Sequence, residues 1–385
     1  MRIAVVRGPY LNTSEMANFV PLAKRHTLKA FSSLFPLDAC VGFPVTRLPS
    51  PTDFPNRLFG SPRIKMGVLN RIFGDACILF GLEARMGKLY REGKGFDIAH
   101  GAETYFSFTH QCLNAKERGW VKKVVVTVWE NIPHNNESIW GRKTLKKRAL
   151  SQVDCFIAVT ETAKKALLAE GCQEERIHVI PMGVDISKFS PYQPKKAKKE
   201  RIILFVGRFE EEKGILDIFN AFRNIVRNNE RKKNVWKLHL IGTGNKKKEI
   251  EDLVTQNCMT GRVHIEKRPY EKMPSVYREA DIFVLPSKSS QFWKEQYGMV
   301  LVEAMASGLP IISTHSGAIP EVVGDAGILV EEGNSRHLAN ALQNLMDNRS
   351  VRKSWGQKAR KRAISRYDAE KAAKKIEELY SSVLK

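Results

Sequence analysis

Arg201-Ile-Ile-Leu-Phe-Val-Gly-Arg-Phe-Glu-Glu-Glu-Lys-Gly214 begins as an apolar, β-branched run, turns at a glycine, and passes into a helical pattern over about 214–227. A strand that feeds a helix through a glycine loop is the repeating step of a parallel α/β sheet. The step recurs in both directions from here. Toward the C-terminus, strands are expected at 237–241, 263–266, 281–285, 310–313 and 327–330. Toward the N-terminus, they are expected at 3–6, 97–100, 123–128, 155–159 and 178–180, with helices over 15–25, 105–118, 143–151 and 161–170. Thr160 supplies an N-cap for the last helix and Gly171 ends it.

Between the two series lies Ser190-Pro-Tyr-Gln-Pro-Lys-Lys-Ala-Lys-Lys-Glu200, whose prolines and lysine run read as a linker with a hinge near 195. The expected organisation is an N-terminal doubly wound domain over 1–192 and a C-terminal one over 193–366. A last helix over 367–385 is expected to pack back on the first domain. One region departs from the alternation. Residues 44–62 hold five prolines, and residues 57–91 mix aliphatic with basic residues around an apolar centre at 73–82. That stretch reads either as a buried core helix with solvated flanks or as an amphipathic surface for anionic lipid.

Composition narrows the class. The 385 residues are 43% hydrophobic and 27% charged, which excludes a disordered chain, and no apolar run approaches a bilayer span. The start, Met1-Arg-Ile-Ala-Val-Val-Arg7, lacks the apolar core of a signal peptide. Six scattered cysteines form no Cys-x-x-Cys pair or Cys/His cluster, as suits reduced, buried thiols. The expected setting is cytoplasmic, peripheral at the membrane. Lys and Arg number 63 against 41 Asp and Glu, a net charge of +22, so the protein works beside anions. No aromatic and basic interleaving or nucleic-acid module appears, so nucleic acid is not the expected partner.

Two stretches carry chemistry. At the end of the strand 201–206, Gly207 allows close backbone approach, and Arg208 and Lys213 can clamp a diphosphate. A surface loop with a Glu210–Lys213 ion pair would have the same composition. The sharper signal is Glu295-Gln-Tyr-Gly-Met-Val-Leu-Val-Glu303, followed by Ala-Met-Ala-Ser-Gly-Leu-Pro310. Glu303 lies inside an apolar helix, where a carboxylate needs a partner such as a vicinal diol, or an arginine. Gly298 leaves the amides of Met299 and Val300 available to phosphate.

These stretches resemble the retaining glycosyltransferases of the GT-B fold, family 4 (glycosyl transferases group 1). The resemblance also rests on Leu240-Ile-Gly-Thr-Gly244, Ala280-Asp-Ile-Phe-Val-Leu-Pro-Ser287, Gly317-Ala-Ile-Pro-Glu321, Val153-Asp-Cys-Phe-Ile-Ala-Val-Thr160 and Ile180-Pro-Met-Gly-Val-Asp185. It covers roughly 95–385. It implies two Rossmann-like doubly wound domains facing across a cleft, and transfer of a sugar from a nucleotide diphosphate-sugar to an acceptor hydroxyl of a glycan, glycolipid or lipid-linked sugar. On this reading Arg208 and Lys213 bind the diphosphate and Glu303 the ribose. Glu295, with the backbone of Gly298, Met299 and Val300, holds the transferred sugar and distal phosphate. The loop Lys267-Arg-Pro-Tyr270 lies where the family reads the base.

The first domain departs from the family pattern. Arg7-Gly-Pro-Tyr-Leu-Asn12 has one glycine, and Trp129-Glu130 stands where many members carry a histidine-acid pair. His100, Glu130 and His134 are the candidates for that role, and each also reads as structural. No Asp-x-Asp motif occurs, so neither metal nor cofactor is expected. The rivals are a sugar-nucleotide epimerase or phosphorylase of the same fold, and a non-catalytic basic nucleic-acid-binding protein.

Overall fold

The computed structural model describes residues 1–37, 41–53, 76–191, 200–228 and 235–385. The linker residues 192–199, the basic residues 231–233, Cys40 and residues 57–75 of the basic segment lie outside the described residues. The chain forms two compact units, Met1–Gly183 with Ala369–Lys385, and Val184–Asp368.

The first unit is built on β1 (Arg2–Gly8), β2 (Thr27–Ser32), β3 (Val45–Arg47), β4 (Phe96–Ala102), β5 (Val121–Val128), β6 (Cys155–Ala158) and β7 (Ile177–Val179). The sheet order is β3-β2-β1-β4-β5-β6-β7 and every pairing is parallel. Successive residues of a strand point to opposite faces, and here both faces are covered. Ile3, Val5 and Ile98 join one core, while Ala4, Val6 and Ala99 join the other. The last helix, Ala369–Val383, closes the first of these cores with Ala372, Ala373, Ile376, Leu379 and Tyr380. Arg25 and His26 hold its outer side through Glu377, at 3.0 and 2.6 Å.

The second unit contains β8 (Glu200–Val206), β9 (Val235–Ile241), β10 (Val263–Glu266), β11 (Ile282–Leu285), β12 (Ile311–Thr314) and β13 (Ile328–Val330). Its order, β10-β9-β8-β11-β12-β13, is again all parallel. In both sheets the strand order therefore reverses once, between β1 and β4 and between β8 and β11. In open sheets of this kind the crevice beyond the carboxyl ends at that switch point receives the ligand.

Several sequence expectations need correction. β2 and β3 were not expected, because Lys29 interrupts the first and the second is only three residues long, directly after Pro44. The expected helix over 15–25 is two short helices, Thr13–Met16 and Val20–Ala23, the second with Pro21 in its first turn. In the apolar centre at 73–82, the described residues from Ala76 to Gly81 are not helical; the helix there is Leu82–Arg91.

Candidate active site

The loop after β8 is held by backbone. Gly207 N–H donates to Ile241 O (3.0 Å), Phe209 N–H to Thr243 O (2.9 Å), and Lys246 N–H to Phe209 O (2.8 Å). Such close packing needs Gly242, whose φ is +151° and whose Cβ, if present, would lie 1.8 Å from Gly207 O. Gly207, Arg208 and Lys213 are thus presented from a rigid turn at the switch point.

Lys213 does not pair with Glu210. Its Nζ donates to Glu295 Oε2 at 2.6 Å and lies 4.7 Å from the centroid of the Trp293 ring. Glu295 is only 6% exposed, and its Oε2 also accepts from Ser287 Oγ at 3.0 Å. The loop after β11 and the loop after β8 therefore meet through this buried-edge ion pair, and also through Lys288, whose Nζ pairs with Glu211 at 2.5 Å and whose backbone N–H donates to Glu212 O at 2.8 Å. Arg208 lies 3.4 Å from Glu212 Oε1 through Nη2, while its buried Nη1 has no hydrogen-bond partner among the described residues. A buried guanidinium nitrogen left unsatisfied is costly, and an anionic ligand would satisfy it.

The helix Met299–Ala306 starts from Gly298 in the left-handed conformation, with no side-chain cap on its first amides. Four residues into this helix, Glu303 is 3% exposed. Its partners are tyrosines, not an arginine: Tyr270 Oη donates to Oε1 (3.0 Å) and Tyr277 Oη to Oε2 (2.7 Å). Burial pushes the Glu303 carboxyl up to about 7 against the opposing pull of these two hydrogen bonds. The same contact with the carboxylate, after burial itself, raises the Tyr277 hydroxyl.

In the first unit the three histidine-or-acid candidates separate. His100 is fully buried, with Nδ1 2.5 Å from Tyr380 Oη and Nε2 2.6 Å from Thr127 Oγ1, and burial holds its pKa well below the usual value. Both nitrogens serve the core, so His100 is a structural histidine. His134 is exposed on a left-handed backbone (φ +59°), 3.0 Å from Glu137 Oε1. His134, Glu137 and Glu170 approach one another closely enough to hold a cation, yet Glu170 is already paired with buried Lys146 at 2.5 Å. Glu130 is buried, raised chiefly by desolvation, and accepts from the amides of Asn131 and Ile132 and the side chains of Asn135 and Asn136.

A residue that the sequence did not single out stands beside it. Glu103 follows β4 at the first unit's switch point, is 4% exposed, and has φ +53° although it is not glycine. Its Oε1 accepts from the amides of Trp129 (2.9 Å) and Glu130 (3.2 Å), while Oε2 is buried without a hydrogen-bond partner among the described residues. Burial first, and then the Glu130 charge, push its carboxyl up to about 8. The expected strand ended at residue 100, so an acidic residue three positions beyond it was the only sequence signal for Glu103.

A model of the glycosyl transferases group 1 family matches residues 187–362, and one of glycosyltransferase family 4 matches residues 43–188. D-inositol 3-phosphate glycosyltransferase of Corynebacterium kroppenstedtii is 28% identical over 264 residues, covering 64% of this chain and 57% of that protein. Among solved structures, sucrose-phosphate synthase from Thermosynechococcus elongatus superposes with a TM-score of 0.74 at 21% identity, covering 100% and 99% of the two chains. Anabaena HepE in complex with UDP and glucose gives 0.74 at 18% identity, covering 99% and 100%. With two adjoining family models spanning 43–362, the chain belongs to the group 1, family 4 glycosyltransferases and has their GT-B fold.

Proposed function

We propose that the protein transfers a sugar, with retention of anomeric configuration and without a metal, from a nucleotide diphosphate-sugar to a hydroxyl of a glycan or lipid-linked acceptor. The observation that carries this reading is the Lys213–Glu295 pair at the β8/β11 switch point, beside the unsatisfied Nη1 of Arg208. Two cations and an uncapped helix N-terminus suit a diphosphate, and a buried carboxylate on the same ammonium suits sugar hydroxyls. HepE, a structural neighbour, is seen with UDP and glucose. As the bond from the anomeric carbon to the diphosphate oxygen breaks, Arg208 and Lys213 stabilise the leaving charge. The acceptor oxygen bonds to the same face of that carbon, and its proton passes to the departing phosphate.

The test is donor hydrolysis and transfer with a panel of sugar nucleotides in excess chelator. Turnover should persist with chelator and fall when Arg208→Ala is introduced, by about 3 kcal/mol if the guanidinium acts as an oxyanion donor does. A folded Arg208→Ala variant with native turnover, or activity abolished by chelator and restored by magnesium, would sink this reading. We also propose peripheral contact with anionic membrane, supported by Trp140, 74% exposed, and the exposed Lys143 and Lys147 that follow it.

A further inference from the structure

We propose that Trp293 forms one wall of the donor-sugar pocket, an aromatic face that the Lys213 ammonium occupies until the diphosphate arrives. The proposal rests on the reading of the site given above and adds a residue to it. Trp293 is two positions before Glu295, and both engage the same ammonium: the carboxylate Oε2 at 2.6 Å and the indole centroid at 4.7 Å. The ammonium therefore sits between a ring face and a carboxylate edge. A pyranose presents the same pair of demands, hydroxyls at its rim for a carboxylate and C–H bonds on its face for an aromatic ring.

Lys213 cannot serve the ring, Glu295 and a diphosphate equally. A bound diphosphate draws the ammonium toward itself, because two phosphate charges outweigh one carboxylate and a ring quadrupole. Its departure uncovers the indole face and one side of Glu295 together. The group delivered with that diphosphate is the sugar.

The loop is built to keep the ring in place without Lys213. Ser290 N–H donates to Trp293 O at 2.7 Å, and Ser289 is tied to Glu332 through its backbone (2.5 Å) and hydroxyl (2.9 Å). Ser287 Oγ fixes Glu295 independently at 3.0 Å. Phe292, the neighbour on the same loop, is 71% exposed and takes no part in these contacts.

The experiment is isothermal titration of native protein and of Trp293→Ala, Trp293→Phe and Phe292→Ala. The probes are UDP, GDP and ADP, then UDP-glucose, GDP-mannose and ADP-glucose. For the base that binds, Trp293→Ala should weaken the sugar nucleotide about fivefold to tenfold while the free diphosphate stays within about twofold. Trp293→Phe should recover most of the loss, and Phe292→Ala should change neither. Equal weakening of both ligands would make the ring a structural cap on Lys213 and overturn the proposal, as would no change in either. Failure of the native protein to bind any diphosphate or sugar nucleotide would overturn the reading of the site, and this proposal with it.

Discussion

At the scale of single residues, two buried carboxyls define how the protein should respond to pH. Glu303, pushed up to about 7, must be ionised to accept two hydroxyl hydrogen bonds from a ribose. Nucleoside diphosphate affinity should therefore rise as pH increases from about 6 to about 8, and Glu303→Gln should both weaken binding and flatten that rise. Titration calorimetry across the range decides it; an unchanged pH profile in the variant removes the ribose role. Glu103 gives a stability prediction. Its folded-state carboxyl is raised to about 8, above the ordinary value near 4.5, so the folded chain holds its proton longer than the unfolded one. Stability from this group is then present at low pH and lost as pH rises through that window. Glu103→Gln keeps the Oε1 acceptor for Trp129 and Glu130 and removes the ionisation. The variant should gain roughly 1–3 kcal/mol relative to native protein at about pH 9 and little at about pH 5, read from denaturant melts at both.

At the scale of elements, the strand-to-helix turns do the positioning. The turn after β9 abuts the turn after β8 so closely that Gly242→Ala would place a methyl carbon 1.8 Å from Gly207 O. That substitution should cost several kcal/mol, about the size reserved for steric failure, and should misplace Arg208 as well. A variant of native stability would mean that the two turns are not packed as described. The last helix offers a milder case: Tyr380→Phe removes the hydroxyl from His100 Nδ1 and should cost about 1–3 kcal/mol without touching any ligand group. These same elements explain what could be read in advance. β8 and β11 were legible because residues 202–206 and 282–285 are continuous apolar runs, as in strands buried on both faces, and β9 from the apolar alternation of Trp236, Leu238 and Leu240. β2 was not, because Lys29 interrupts it and its burial alternates only at the start. The Arg208, Lys213, Glu295 and Glu303 positions were legible from glycine-bounded turns and from a carboxylate in an apolar helix. Their pairing was not, since the partners Tyr277 and Trp293 lie on separate loops and helices that only the parallel sheet brings together. Glu103 stayed hidden for the same reason, its backbone turning left-handed where sequence would favour glycine.

At the scale of the whole molecule, the question is what a net charge of +22 meets. A diphosphate site needs few cations, and only a few others, Arg7, Arg142, Lys146 and Arg352 among the described residues, are buried within the fold. In the basic run 142–148, Arg142 and Lys146 are buried, stacking on Tyr105 at 4.7 and 5.8 Å, and Arg148 bonds Asn114 and Glu117. The run therefore does not present all its charge outward. Lys143 and Lys147 remain exposed and, four residues apart, share one face of the helix Arg142–Gln152. Trp140, just before that helix, is 74% exposed, an aromatic of the kind that settles at a membrane interface. No helix among the described residues is long and apolar enough to cross a membrane. Each lysine near an anionic leaflet contributes about 1 kcal/mol, which is modest singly and falls with salt. Co-sedimentation should therefore show binding to phosphatidylserine-containing vesicles at low salt and little to neutral vesicles. Trp140→Ala combined with Lys143→Glu and Lys147→Glu should weaken it further than high salt does, because the ring contributes apolar insertion that salt does not screen. Native protein that stays in the supernatant with both kinds of vesicle at low salt, or a triple variant that sediments like native, would remove this surface from consideration and leave a soluble acidic or glycan acceptor.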